Sequence, residues 1–322
     1  MSNKLEILIA CPAKYATGGT ESLHQLCAAF NKCEGVEAKM YYRDWYNNRD
    51  DPVADEFKKY NCKYVEWNSC NSLIGFNGVV IFPEIWANNV CDEWWSDATK
   101  VIWWLSVDNY FTHYPAKEWF KFANQVDAVH ITQSSYAADF LLNLDVPFST
   151  LNCYVNDEFY DTPKSNKPRG NVILYNPAKD TGYVKLLMNI MPDVDFRPIK
   201  GMTRDEVIEA MDTAKIYIDF GTHPGRERMP REAALRGCVV ITGRDGSADN
   251  YMDIPIPYSY KVQRSYGNLP YLRYRIKEIL DHSDFALFQR DFEQYRKLLR
   301  KDREKFLFKV AEMAEILKGI VT

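Results

Sequence analysis

The sequence predicts an α/β protein built from two Rossmann-like, doubly wound parallel-sheet domains facing a cleft. Apolar runs without strict alternation recur along it, such as "LEILIAC" (5–11), "GVVIF" (78–82) and "CVVIT" (238–242), and such runs suit strands covered on both faces. Helical patterns stand between them, the βαβ alternation of a parallel sheet. A polar connector, "NCYVNDEFYDTPKSNKPRG" (152–170), splits the series, and 322 residues suffice for two cores.

The elements follow in order. After the first strand, "TESLHQLCAAF" (20–30) puts Leu23, Leu26, Cys27 and Phe30 on one helical face, and "EAKMYY" (37–42) is the next strand. Strands at 78–82, "KVIWWLS" (100–106) and "DAVHIT" (127–132) complete the first series, the last running into a helix over 134–144. Beyond the connector, strand "NVILYN" (171–176), helix "YVKLLMNIM" (183–191), strand "VDFRPI" and helix 203–214 alternate, Thr203 and Glu206 making a capping box. Strands "KIYIDF" (215–220) and "CVVIT" close the second series, and 283–320 has near-helical apolar spacing. The expected domains are 1–155 and 165–283, with C-terminal helices 284–322 packing back on the first domain.

With 46% hydrophobic and 26% charged residues and no low-complexity tract, the chain reads as folded rather than disordered. No apolar run approaches the roughly 20 residues of a membrane span, and "MSNKLEILIACPAKY" lacks a signal-peptide core. A cytoplasmic protein is expected, with at most peripheral membrane contact through "RKLLRKDREK", a stretch better read as a solvated helix face. The eight cysteines form no CxxC pair and are expected to be reduced and structural. Residues 1–160 carry 12 Lys and Arg against 21 Asp and Glu, and the rest 28 against 23, so an anionic ligand finds its charge partner in the second half.

That half contains "GTHPGRERMPREAALRGCVVITGRDGS" (221–247), a charged loop between a strand and a helix at the C-terminal edge of a parallel sheet. Ligands of open α/β sheets bind at that edge, and a helix N-terminus there favours anions. Pro230 suits the first helical position and Gly237 the stop. Arg226 and Arg228, with Gly225 beside them, then read as a phosphate site, and Glu232 in the first turn reads either as a ribose-diol acceptor or as a complement to the helix dipole.

The stretch 221–251 resembles the donor-site signature of group 1 glycosyltransferases of the GT-B fold, and three further segments resemble the family in order. "TGGTE" (17–21) is similar to its glycine-rich loop, "NCYVNDEF" (152–159) to its interdomain segment, and "YNPAKDTGYVKLL" (175–187) to the turn whose basic side chain meets the donor pyrophosphate. The resemblance implies a retaining, nucleotide-sugar-dependent transferase. The family's two glutamates have seven residues between them, whereas counting back from Glu232 in that way lands on Pro224, and the nearest glutamate is Glu227. Asn176 and Pro177 replace the family's "GR", which leaves Lys179 as the cation of that turn.

Breaking the anomeric C–O bond builds negative charge on a departing diphosphate, which fixed cations stabilise; Lys179 with Arg226 or Arg228 are the candidates, and Glu227 is the first glutamate. Gly18 and Gly19 let a diphosphate or sugar approach a helix beginning near Thr20, or else make a ligand-free tight turn. If configuration inverts, Asp108 is the first choice of base, ahead of Glu84 and His113; if it is retained, the leaving phosphate can take the proton. All eight tryptophans lie before residue 120, and Trp86, Trp94 and Trp95 are candidates for an acceptor platform, while adjacent Trp103 and Trp104 point to opposite sides of their strand as core. "DVD" (193–195) reads as a turn into a strand, so no metal or other cofactor is expected. A nucleotide-sugar donor and a glycan acceptor are the expected partners, and no nucleic acid. A nucleotide-sugar epimerase and a non-catalytic binding relative are the alternatives.

Overall fold

The computed structural model describes residues 4–43, 51–66, 73–114, 127–180 and 182–321; Trp45, Trp67, Trp119 and Cys70 lie outside them. Among the described residues the strands form two all-parallel sheets, one in each of two compact units, Met1–Cys153 with Glu304–Thr322 and Tyr154–Arg303.

In the first unit, β1 (Leu5–Ala10), β2 (Val36–Tyr41), β3 (Val79–Pro83), β4 (Thr99–Trp104), β5 (Val129–Thr132) and a short unforeseen β6 (Phe148–Thr150) lie in the order β2-β1-β3-β4-β5-β6. The order reverses between β1 and β3, the kind of switch point at which α/β sheets take ligands. Helix α1 (Gly18–Phe30) starts two residues earlier than the sequence pattern suggests, because Thr17 and Thr20 exchange the two bonds of a capping box. Gly18 and Gly19 are therefore its first turn rather than an open loop. A Cβ at Gly19 would meet Leu105 only at 3.7 Å, so packing does not demand glycine there.

Helices α2 (Val107–His113) and α3 (Ser135–Leu142) complete the described α-helices of residues 1–153. Trp103 and Trp104 do point to opposite faces of β4. Trp103 stacks on Phe306 and donates to the Leu151 carbonyl, while Trp104 packs on Tyr110 and Phe140 and donates to His130 Nδ1 at 3.0 Å. Burial pushes His130 down to about 4, so the neutral ring can accept that bond.

The second unit runs through α4 (Glu158–Asp161), β7 (Gly170–Tyr175), α5 (Tyr183–Ile190), β8 (Asp195–Pro198), α6 (Arg204–Thr213), β9 (Ala214–Asp219), α7 (Arg228–Arg236) and β10 (Val239–Thr242), with strand order β10-β9-β7-β8. Thr203 and Glu206 form the expected capping box on α6. Helices α8 (Leu269–Asp281), α9 (Ala286–Arg290) and α10 (Glu293–Arg300) follow; α11 (Asp302–Val321) starts in this unit and continues in the first. The apolar tail is thus three helices rather than one continuous pattern. Phe288, Phe292, Tyr295 and Leu299 are buried in the second unit's core, and Phe306 and Val310 are buried in the first unit.

Arg236 anchors the connector to that core. Only 2% exposed, it pairs with Asp212 and donates to the carbonyls of Thr162 and Pro163 at 2.8 and 3.0 Å. One guanidinium thereby satisfies a buried carboxylate and backbone acceptors of an irregular segment.

Candidate active site

The loops after β7, β9 and β10 emerge on one edge of the second sheet because the three strands are parallel neighbours. After β7, Asn176 Oδ1 accepts the Ala178 N–H at 3.0 Å and its carbonyl accepts the Lys179 N–H at 3.2 Å, a local turn that presents Lys179. After β9, a Cβ on Gly221 would stand 2.8 Å from the Lys179 carbonyl oxygen, so the two loops touch only because residue 221 is glycine. After β10, Ser247 donates its N–H to the His223 carbonyl and its hydroxyl to that of Gly225, at 2.8 and 2.5 Å. Gly246, at φ +54°, makes that clamp possible, since a Cβ there would collide with the His223 carbonyl.

The clamped loop carries the charges. Lys179 Nζ bonds Glu227 Oε2, joining the loops after β7 and β9 through the two residues singled out as the turn cation and the first glutamate. Behind them, Asp219 accepts the Gly221 N–H and the Tyr217 hydroxyl at 3.1 and 3.2 Å and lies 3.4 Å from His223 Nε2. Burial favours a neutral His223 ring, but the Asp219 carboxylate outweighs it and raises the pKa. Burial would likewise raise Asp219, yet His223, Lys179 and the Gly221 N–H together hold it below the ordinary carboxylate value.

The arginines divide. Arg226 is held 3.0 Å from Asp302, so its charge is committed inside the fold rather than offered to a phosphate. Arg231 braces the loop by donating to the carbonyls of Glu227 and Arg226. Helix α7 begins at Arg228, not Pro230; Pro230 is its third residue, and Glu232 falls in the second turn. That removes the helix-dipole role considered for Glu232, since the first turn carries no acid. Glu232 is 3% exposed and Arg228 is buried. At α5, Asp180 Oδ1 already accepts the N–H groups of Gly182 and Val184.

Sequence reasoning missed Asp219, His223, Asp302 and Asp180. An Asp and a His four residues apart at the end of a buried strand was the legible signal for the first two. The "DVD" carboxylates go to cations, Asp193 to Lys277 and Asp195 to Arg197. Among the described residues no group of three or more His, Cys, Asp or Glu is arranged around a metal position, and no helix is long and apolar enough to cross a membrane. A groove of about 800 Å³ along α8, lined by Ile190, Tyr266, Pro270 and Tyr274, includes none of the residues at this edge.

In the first unit, Asp108 sits at the start of α2 and accepts the Tyr136 hydroxyl at 2.8 Å. His113 is exposed at the end of α2, bonded to the Asn109 carbonyl. Trp95 is 2% exposed and enclosed edge-on by Tyr41, Phe76 and Phe82, so its indole has no face for a sugar; Trp86 and Trp94 are half-buried.

Glu84, at the end of β3, is fully buried and accepts the Leu105 N–H at 2.9 Å. Burial pushes its carboxyl up to about 8 against that bond. The native state therefore keeps a proton that the unfolded chain releases above about 4.3, so Glu84 erodes stability as pH rises from there to about 8. Glu84→Gln removes that part of the pH dependence: urea unfolding should show the variant gaining on the parent between pH 5 and 8.5. Equal losses in both proteins would mean that the group is already ionised in the native state.

No known family profile and no curated protein matches the sequence. The fold has clear counterparts among solved structures: the chain has the two-sheet α/β architecture of GT-B glycosyltransferases. A glycosyltransferase from Rickettsia africae ESF-5 superposes with a TM-score of 0.65 at 15% identity, over 98% of this chain and 99% of that one. The Anabaena protein HepE in complex with UDP-glucose gives 0.66 at 10% identity, over 98% and 100%. Sucrose-phosphate synthase from Thermosynechococcus elongatus gives 0.66 at 12%, over 98% and 100%.

Proposed function

We propose that this protein is a glycosyltransferase that moves a sugar from a nucleotide-sugar donor to a carbohydrate or glycan acceptor, with retention of configuration and without a metal. The observation that carries the reading is the Lys179–Glu227 bridge at the carboxyl edge of the second sheet, in a GT-B fold. Fold alone does not assign chemistry. A cation bonded to a clamped loop, at the edge where α/β sheets take phosphates, supplies what diphosphate departure needs.

In this reading Lys179 meets the diphosphate and stabilises the charge that grows on it as the anomeric bond breaks. Glu227 holds Lys179 in place until the donor arrives and then faces the sugar hydroxyls. Arg228 adds a second cation, Gly225 and Asn176 shape the two loops, and Glu232 accepts the ribose diol. The departing phosphate takes the acceptor proton, and Asp108 becomes the base only if configuration inverts. Gly18 and Gly19 belong to nucleotide-sugar binding, and Trp86 and Trp94 to acceptor binding. That Anabaena HepE was crystallised with UDP-glucose supports a nucleotide-sugar donor.

Pro224, standing where the family places its first glutamate, favours one second reading, a protein that binds a nucleotide sugar without transferring it. Release of nucleoside diphosphate from a panel of nucleotide sugars, with and without glycan acceptors, separates the two. Acceptor-dependent release is expected; binding with no release under any condition would establish the second reading.

A further inference from the structure

His223 has no assigned role, yet it is 0% exposed in the loop that carries Glu227. Neither ring nitrogen makes a hydrogen bond of good geometry; the nearest acidic oxygen is Asp219 Oδ1, 3.4 Å from Nε2. The backbone around the ring is fixed by Ser247 and by the close approach of Gly246. The charged groups that act on it are Asp219 from β9, Glu227 from its own loop and Lys179 from the loop after β7.

Lys179 therefore interacts with two acids. It bonds Glu227, and its charge also reaches Asp219, whose other partners are a tyrosine hydroxyl and a backbone N–H. A buried carboxylate that loses its cation must find another or take up a proton, because leaving it charged and unpaired is costly. Lys179, which like Asp219 Oδ1 lies against Gly221, is the cation whose charge already acts on Asp219.

We infer that His223, ion-paired with Asp219, is a positioning residue that keeps Lys179 available to Glu227 and to an incoming diphosphate. This rests on the reading of the edge as a diphosphate site. The imidazolium satisfies Asp219 from beneath, and the lysine is left to face outward. When the ring loses its proton, Asp219 draws Lys179 inward, and both Glu227 and the ligand lose their cation. Because the His223 pKa is raised, the arrangement is complete below the ordinary histidine value and is lost as pH rises through the raised one. A terminal phosphate with a pKa of about 6 is fully ionised over that alkaline range, so its own titration cannot produce a fall in affinity there.

The test is calorimetric titration of UDP, GDP and ADP from pH 6 to 9 into the parent protein, His223→Gln, and Asp219→Asn with His223→Gln together. The parent should lose about tenfold in affinity as pH rises above neutrality, the equivalent of about one pKa unit. His223→Gln should be about tenfold weaker already at pH 6.5 and show no alkaline step. The double variant should regain parent affinity without pH dependence, because no buried carboxylate remains to claim Lys179; a merely structural histidine predicts further loss instead. Parent binding with unchanged His223→Gln overturns the inference and leaves the diphosphate site standing, whereas no binding by the parent at any pH overturns both. If His223→Gln fails to fold, ring-nitrogen NMR of the parent decides: an imidazolium persisting above pH 7 is expected, and a neutral ring at pH 7 sinks the idea.

Discussion

Lys179→Ala is expected to weaken nucleoside-diphosphate binding by about ten- to a hundredfold at pH 7, the equivalent of the roughly 1.5–3 kcal/mol assigned to a hydrogen bond with a charged group. The side chain meets Glu227 at the sheet edge and is 34% exposed, so the fold should barely notice its loss; bridges of that exposure contribute at most about 1 kcal/mol. Calorimetry for affinity and a melting curve for stability separate the two effects. Unchanged affinity at unchanged stability would move the diphosphate away from Lys179, while a large drop in melting temperature would make the bridge a structural strut.

Arg236→Ala should have the opposite signature, a loss of about 3–5 kcal/mol of stability, because it strands the buried Asp212 carboxylate and the acceptors of the connector. Pairing Arg236→Met with Asp212→Asn should recover much of that loss, since removing both charges is far cheaper than stranding one. Urea unfolding of the parent and the two variants gives the comparison. A single variant as stable as its parent would show that water reaches Asp212 and relieves it.

These two residues show what the sequence could and could not reveal. Buried strands announce themselves by local composition: "GVVIF" and "CVVIT" appear as β3 and β10, and the Thr203–Glu206 box begins α6 where the pattern places it. Lys179 and Glu227, chosen from the resemblance and from charge, are bonded to each other. The roles of neighbouring arginines were not legible, because charge is local in sequence while its partner is not. Arg226 pairs with Asp302 and Arg236 with Asp212, both far along the chain, and nothing in "PGRERMPREAALRG" distinguishes them from Arg228.

Helix starts behaved similarly. Pro230 fits a first position by propensity, but α7 begins at Arg228, and Thr17 starts α1 through a capping box whose returning acceptor is the Thr20 hydroxyl rather than the commoner glutamate. Among the tryptophans, composition located the group, but only packing distinguished the enclosed Trp95 from the half-buried Trp86 and Trp94.

The most direct test of the donor site is a thermal-shift titration of the purified protein with nucleoside diphosphates and their sugars, carried out beside Glu232→Ala. One base should stabilise the parent protein, by the mass-action gain that any ligand specific to the native state confers, and the gain should disappear in Glu232→Ala. No stabilisation by any nucleotide at several millimolar, with the parent protein intact, would rule out a donor site at this edge.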